Sequence, residues 1–127
     1  MKHIGESLED YLECILVLSR QLPVVRSVDV ASSLGYSKPS VSHAVKLMQE
    51  QGFIELDNAK TLHLTEKGKA IACETWRRHE FFSNMLVQIG VPAHIAQEDA
   101  CRMEHVVSQE TFDAIRRYFE NDKEAGA

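Results

Sequence analysis

The chain has 127 residues, of which 44% are hydrophobic and 26% charged, and its formal net charge is −5. This length allows one core of moderate size or two small cores in series. No run of uncharged apolar residues approaches the length of a membrane helix, which needs about 18. Lys2 and His3 are not followed by the apolar region of a signal peptide. We therefore expect a cytoplasmic protein without a membrane span.

The charge is distributed unevenly along the chain. Residues 26–69 carry six basic and five acidic side chains, a balance of +1, whereas residues 98–127 carry four basic and eight acidic side chains, a balance of −4. This asymmetry fits a mildly cationic module that reads nucleic acid and an acidic module that could hold cations. Three widely spaced cysteines argue against a disulfide framework. We expect Cys14 and Cys73 to be buried small hydrophobes, whereas Cys101 has polar neighbours.

The first half of the chain predicts three helices. Apolar residues recur with helical spacing over residues 8–20, behind Ser7 as the N-cap. Residues 27–34 predict a short helix that Gly35 ends, because glycine adopts the left-handed conformation common after helices. A third helix is predicted over residues 38–51.

The second half predicts a hairpin and three more helices. Hydrophobic alternation around a polar turn predicts strands at residues 53–56 and 61–64. A long helix follows from the cap at residues 65–68 to about Ile89. Two further helices are predicted over residues 92–107, with Pro92 in the first turn, and over residues 108–119, with Ser108 as the cap.

The order helix, tight turn, helix, hairpin is that of a winged helix-turn-helix. Small hydroxyl side chains begin the second helix of the pair, where they let the backbone approach phosphates, and the helix N-terminus favours an anion. Ser40, His43 and Lys46 are spaced i, i+3, i+6, so they share a face that could meet DNA. The predicted DNA-binding residues are Ser37, Lys38, Pro39, Ser40, Ser42, His43 and Lys46. The alternative is that they are merely the polar face of a solvated helix.

A second constellation indicates metal chemistry. Cys101, Glu104 and His105 stand at i, i+3 and i+4, so a helix gathers a thiolate, a carboxylate and an imidazole on one face. Asp10 and Glu13 form a second i, i+3 pair, and a histidine lies on a third predicted helix. The predicted metal ligands are Asp10, Glu13, His79, Cys101, Glu104 and His105.

Each upstream ligand has an alternative role. Asp10 is placed to complete a capping box with Ser7, Glu13 could be a solvated helix carboxylate, and His79 could be an ordinary mid-helix histidine. Other chemistries fit less well, because the chain has no CxxC zinc motif, no glycine-rich phosphate loop and no glycine-rich approach to a Cys–His nucleophile pair. We therefore predict no catalytic residues and no enzyme activity.

Five short motifs resemble those of the metal-dependent repressors of the diphtheria-toxin-repressor and manganese-transport-regulator type. They are Asp10-Tyr11-Leu12, Ser37-x-Pro39-Ser40-Val41-Ser42, Leu64-Thr65-x-x-Gly68, Arg78-His79-Glu80 and Ala100-Cys101-Arg102-x-Glu104-His105. The resemblance implies a homodimer with a winged-helix DNA-binding domain at residues 1–70 and a helical metal-binding and dimerisation domain at residues 71–127. It also implies the two-domain form, without the SH3-like domain of many iron-type members.

The ligand match with this family is mixed. Asp10, Glu13 and His79 match ligands of the manganese type, whereas Cys101 stands where the manganese type has Glu and the iron type has Cys. Hard carboxylates suit Mn²⁺, while a thiolate with an imidazole shifts preference toward Fe²⁺, Co²⁺, Ni²⁺ or Zn²⁺. The resemblance therefore implies a divalent metal cofactor, and Fe²⁺ and Mn²⁺ both stay open.

We thus expect a mainly α protein that represses metal-homeostasis genes by binding a near-palindromic double-stranded DNA operator when it holds metal, with no organic cofactor. The main alternative is a winged-helix regulator that responds to a small organic effector or to oxidation of Cys101. More distant alternatives are a metalloenzyme with an open coordination site and a protein-interaction module that never touches DNA.

Overall fold

The computed structural model describes residues 6–125, with side chains for residues 8–121. The elements in chain order are α1 (Glu6–Gln21), α2 (Ser27–Leu34), α3 (Lys38–Glu50), β1 (Ile54–Leu56), β2 (Leu62–Leu64), α4 (Glu66–Gln88), α5 (Ala93–Val106) and α6 (Gln109–Ala125). This order confirms the predicted mainly α fold with a hairpin after the third helix. Among the described residues, no helix combines the length and apolarity needed to cross a membrane.

The chain divides into two compact units, and the division falls between Glu74 and Thr75, inside α4. The first unit contains the first three helices, the hairpin and the start of α4. The second contains the rest of α4 with α5 and α6. The domain boundary predicted after residue 70 lies in the same helix.

The core of the first unit lies where α1, α2 and α3 pack together and against the hairpin. On α1 the apolar residues repeat at i, i+3 and i+4, so they form one stripe that can be buried. The buried members of that stripe are Leu8, Tyr11, Leu12, Ile15 and Leu16. From the other side, α3 contributes Met48, which is 0% exposed, and the hairpin contributes Ile54, which is 2% exposed.

A tight turn connects α2 with α3. Gly35 has φ 71°, in the left-handed region that glycine adopts without a steric penalty, and its N–H donates to the carbonyl of Ala31 at 2.9 Å. The next helix begins immediately afterwards, because the Ser37 hydroxyl accepts a hydrogen bond from the Ser40 N–H at 3.3 Å. Pro39 occupies the first turn, where its missing N–H is not needed.

The hairpin is antiparallel and pairs Ile54 with Leu64. Each strand is shorter than predicted, with three residues in place of four. Asp57 organises the turn, since its carboxylate accepts the N–H groups of Ala59 and Thr61, each at 2.9 Å. Lys60 at the tip has φ 62°, a left-handed conformation uncommon for a side chain other than glycine.

The second unit has an aromatic core. Phe82 from α4 is 0% exposed and Phe112 from α6 is 1% exposed, and their rings meet edge to face at 5.6 Å. Ala100 of α5 is also 0% exposed. Its small side chain lets the backbone of α5 approach this cluster.

Besides the shorter strands and differences of one residue, three helix ends differ from the prediction in a way that changes the place of a named residue or the helix length. Helix α1 begins at Glu6, so Ser7 lies inside its first turn and does not precede the helix. Pro92 is the residue before α5 and not its first helical residue. Helix α6 continues to Ala125, because the polar residues after Phe119 include good helix formers such as Glu and Lys.

The cysteine predictions had different outcomes. Cys14 is buried, as predicted, and Cys101 is exposed. Cys73 is only half-buried, so the prediction that it is a buried small hydrophobe was wrong. It lies on α4, whose apolar residues do not cover it completely.

Gly68 provides a test of how α4 is joined to the hairpin. Its N–H donates to the Thr65 hydroxyl at 3.1 Å, that hydroxyl donates to the Gly52 carbonyl at 2.7 Å, and a Cβ at Gly68 would overlap the main-chain carbonyl of Phe53. Replacing glycine by alanine inside a helix normally stabilises by about 1 kcal/mol. We expect Gly68→Ala instead to lower the free energy of unfolding by about 1–3 kcal/mol, as overpacking does.

Urea unfolding would measure this change. Lys69→Ala is the control, because Lys69 is exposed in the same turn of α4. Equal unfolding free energies for Gly68→Ala and the control would show that the backbone of Phe53 does not restrict this position.

Candidate metal centre and nucleic-acid interface

The predicted DNA-binding residues all lie at the surface of the first unit. Every one of the seven, from Ser37 to Lys46, is exposed. The opposite side of α3 is apolar and buried, with Val41 at 1% and Met48 at 0% exposure. Burial of that side leaves the polar side, with Ser40, His43 and Lys46, facing solvent.

The wing presents two further polar side chains. His63 is exposed, and its Nε2 lies 2.9 Å from the Asp57 carboxylate. The hydrogen bond with His63 is the main reason why the pKa of Asp57 is lowered, and the N–H groups of the turn lower it further. Sequence reasoning missed this organising role, although aspartate at the start of a polar turn is a recognisable signal.

The second unit brings three predicted metal ligands together. His79 comes from α4, and Cys101 and Glu104 come from α5. The His79 Nδ1 lies 3.0 Å from Glu104 Oε2 and 3.7 Å from Cys101 Sγ. One donor atom from each of these residues lies within 4.8 Å of the others, which is close enough to share one metal ion.

Burial differs sharply across this cluster. The side chain of Glu104 is 0% exposed and that of His79 is 15% exposed, whereas Cys101 is exposed. Glu104 Oε1 accepts no hydrogen bond from the described part of the chain, and His105 Nε2 lies 3.2 Å away. A buried carboxylate is unfavourable unless positive charge compensates it, so this oxygen favours a cation.

The protonation of His79 reflects the same electrostatics. Its pKa is raised from 6.5 to about 10, first by the hydrogen bond with Cys101 and then by that with Glu104, while burial opposes the shift. The two neighbours therefore hold a positive charge at the imidazole. These residues fit a divalent ion, which would supply positive charge at the same place in exchange for the proton of His79.

The remaining predicted ligands are Asp10, Glu13 and His105. His105 follows Glu104 on α5 and is 7% exposed. Asp10 and Glu13 lie in the first unit, one turn apart on α1, and both are half-buried. Their membership in the metal site stays a prediction.

Arg78 is a functional candidate that the sequence pattern did not single out beyond its place in the motif Arg78-His79-Glu80. The structure buries it to 6% exposure. A signal was available, because Arg78 falls on the buried stripe of α4, between Thr75 and Phe82 at helical spacing. A charged residue in such a stripe is unusual and has a specific set of partners.

Comparison with known proteins identifies the two parts of the chain. Residues 3–62 match the family profile described as the iron-dependent repressor N-terminal DNA-binding domain. Residues 65–125 match the profile of the iron-dependent repressor metal-binding and dimerisation domain.

Individual relatives agree with these profiles. The transcriptional regulator MntR of Escherichia coli O157:H7 is 40% identical over 116 residues, which cover 91% of this chain and 75% of that protein. The iron-dependent repressor IdeR of Mycobacterium tuberculosis H37Rv is 33% identical over 111 residues, 87% of this chain and 48% of IdeR.

Solved structures show the same fold. The metal-dependent transcriptional regulator MtsR superposes with a TM-score of 0.83 at 32% identity, covering 89% of this chain. A manganese-dependent transcriptional repressor in complex with manganese superposes with a TM-score of 0.79 at 26% identity. The chain spans about half the length of both, 53% and 51%.

The raised pKa of His79 can be tested in metal-free protein. We expect the imidazole to titrate near pH 10, and Cys101→Ala to lower its pKa because the largest cause of the shift is removed. An NMR pH titration of the ring protons measures both values. Cys73→Ala, which removes a cysteine thiol from α4 itself, should leave the titration of His79 unchanged. An ordinary value near 6.5 in the unsubstituted protein would contradict the electrostatics described above.

The same shift predicts how stability depends on pH. The folded-state pKa of His79 lies above its ordinary value, so protonation of His79 stabilises the metal-free fold. That contribution is complete below pH 6.5 and is lost as the pH rises through about 10. Urea unfolding across this range should show a smaller loss for Cys101→Ala than for the unsubstituted chain.

Proposed function

Since this chain belongs to the family of iron-dependent repressors, we propose that it is a metal-activated transcriptional repressor that senses Fe²⁺ or Mn²⁺ and controls metal-homeostasis genes. The observation that carries the proposal is the cluster of His79, Cys101 and Glu104. It lies inside the region that matches the metal-binding and dimerisation domain of the family.

The DNA-binding step is assigned to α3. Its N-terminal turn exposes the Ser37 and Ser40 hydroxyls, which are small enough to let main-chain N–H groups approach a phosphate. His43 and Lys46 extend the same exposed face, where they can meet base edges or the backbone. A homodimer presents two copies of α3, so the operator is a near-palindromic duplex with half-sites about one helical turn, or a multiple, apart.

The metal site is proposed to contain six ligands. They are Asp10, Glu13, His79, Cys101, Glu104 and His105. The last four lie in the second unit, and the first two are included on the resemblance of their sequence motif to the manganese-type members. When bound, a divalent ion supplies positive charge that offsets the acidic ligands. Without it, mutual repulsion of these carboxylates opposes any arrangement that gathers them.

Regulation follows from linkage between the two binding events. If metal favours the dimer arrangement that fits the operator, operator binding must raise metal affinity by the same factor. Asp10 and Glu13 lie on α1, which packs on α2 and α3. Drawing these carboxylates to an ion therefore acts on the helix that supports the DNA-reading element.

The donor set bears on which ion is sensed. Carboxylates from Asp10, Glu13 and Glu104 suit Mn²⁺, whereas the thiol of Cys101 adds a soft donor that favours Fe²⁺. The family has members that act with each ion, as the names of the relatives state for IdeR and the manganese-dependent repressor. We propose Fe²⁺ or Mn²⁺ as the natural effector.

We further propose that the protein has no enzymatic activity and acts in the cytoplasm. A repressor acts where its operator lies, and membership in a repressor family implies regulation rather than turnover. The rival regulator that responds to an organic effector or to Cys101 oxidation would bind its operator equally well after exhaustive chelation.

Metal titration is the first test. We expect chelated, reduced protein to bind Mn²⁺ and, anaerobically, Fe²⁺ in isothermal titration, and Cys101→Ala to weaken Fe²⁺ binding more than Mn²⁺ binding because a soft donor is lost. Cys14→Ala is the control, since that thiol is buried in the first unit. If neither Mn²⁺ nor Fe²⁺ binds, the proposed function is wrong and the protein is an ordinary winged-helix regulator.

The DNA-binding face is tested by salt dependence. We expect Lys46→Ala to weaken binding to a selected operator and to reduce the slope of log K against log salt concentration by about 1, if its ammonium meets a phosphate. Fluorescence anisotropy at several salt concentrations measures the slope. Arg117→Ala removes the same charge from an exposed position on α6 and should leave the slope unchanged. An unaltered slope in Lys46→Ala would exclude Lys46 from the phosphate contacts.

A further inference from the structure

Arg78 is a buried cation beside the metal cluster. It lies on α4 immediately before His79 and is 6% exposed. Its Nη1 donates to the Glu104 carbonyl at 3.2 Å and to the Val107 carbonyl at 2.6 Å. One guanidinium nitrogen therefore connects two main-chain oxygens at the end of α5.

Glu104 lies in the last turn of α5, which ends at Val106, and Val107 is the C-cap residue. Carbonyls at a helix end lack the N–H partners that a longer helix would supply. A positive charge at a helix C-terminus is favourable for the same reason. Because Arg78 comes from α4, it fixes the end of α5 from a neighbouring helix and not from within.

The position of Arg78 links it to metal binding. The carbonyl of Glu104 accepts from Arg78, while the carboxylate of Glu104 contacts the next α4 residue, His79, at 3.0 Å. Adjacent residues of α4 thus hold the main chain and the side chain of the same proposed ligand. We propose that Arg78 is a positioning residue of the metal centre, which holds Glu104 in place before the ion binds. This inference rests on the proposed function.

The second terminal nitrogen of the Arg78 guanidinium contacts α6. Its Nη2 donates to Gln109 Oε1 at 3.0 Å, and Gln109 Nε2 donates to Asp113 Oδ1 at 2.9 Å. The guanidinium also lies over the Phe112 ring, 5.0 Å from its centroid. Arg78 therefore holds the junction between the helix that carries the metal ligands and the last helix of the dimerisation domain.

A residue that only stabilises the fold would have the same contacts, so the test must measure the site itself. Co²⁺ serves as the probe, because its absorption spectrum reports its ligands and their geometry. Arg78→Met keeps an unbranched side chain but removes every N–H donor of the guanidinium. We expect this variant to bind Co²⁺ about tenfold to a hundredfold more weakly. The d–d bands of the Co²⁺ bound to this variant should change, while the thiolate-to-cobalt band from Cys101 persists.

Three variants give the comparison. Arg78→Lys keeps the charge and can donate to the carbonyls, so it should recover part of the affinity and of the spectrum. Gln109→Ala removes the acceptor of Arg78 Nη2 together with the hydrogen bond to Asp113, leaves both carbonyl contacts of Arg78 in place, and should have a smaller effect. Arg77→Met removes the same side chain from the preceding, exposed position and should behave as the unsubstituted chain.

The outcomes separate the inference from the proposed function. Co²⁺ bound by Arg78→Met with unchanged affinity and spectrum, even with a lower unfolding midpoint, would overturn the positioning role alone. No Co²⁺ binding by the unsubstituted chain would overturn the proposed function and this inference with it. If Arg78→Met does not fold, Arg78→Lys decides: weaker binding with shifted d–d bands supports the inference, and wild-type values overturn it.

Discussion

A carboxylate removed from water costs several kcal/mol unless positive charge or hydrogen bonds compensate it, and much of the second unit is arranged around one such group. Glu104 has a fully buried side chain, with His79 at 3.0 Å on one oxygen and His105 at 3.2 Å on the other. Its main-chain carbonyl is held by Arg78. Phe82 and Phe112 belong to the buried apolar cluster of the same unit. The buried carboxylate therefore has imidazole nitrogens from two histidines beside it, and a divalent ion would add positive charge at the same place.

The structure of the first unit depends on different interactions. Its core is apolar, and its polar groups organise turns: Ser37 caps α3, Asp57 closes the hairpin turn, and Thr65 joins the start of α4 to the turn before β1. These local hydrogen bonds set where each element begins. The result is an α3 whose apolar side is buried and whose polar side stays exposed, as a DNA-reading helix requires.

Much of this fold could be predicted from the sequence because its signals are local. Helical spacing of apolar residues, Gly35 after α2, Ser37 before α3 and alternation in the hairpin each depend on a few neighbouring residues. The i, i+3 spacing of Cys101 and Glu104 also placed them correctly on one face of α5.

What the sequence could not show depends on contacts between distant segments. Arg78 meets Glu104 across 26 positions and Gln109 across 31, and no local pattern encodes those pairs. The i, i+3 spacing likewise predicts that Asp10 and Glu13 share a face of α1, but it does not predict which residues contact that face. The predicted end of α6 at Phe119 is too early, because the polar residues that follow it favour a helix.

The contrast between a buried Glu104 and an exposed Cys101 has a consequence for the rate of ion exchange. An ion held by both would have its carboxylate ligand deep in the protein and its sulfur ligand at the surface. Competing chelators and thiols from solution then meet the sulfur first, so ligand replacement would proceed from that side by successive substitution. The residence time of the ion, and with it the speed at which repression ends after a fall in metal supply, would be governed by the exposed thiol more than by the ligand that is held most tightly.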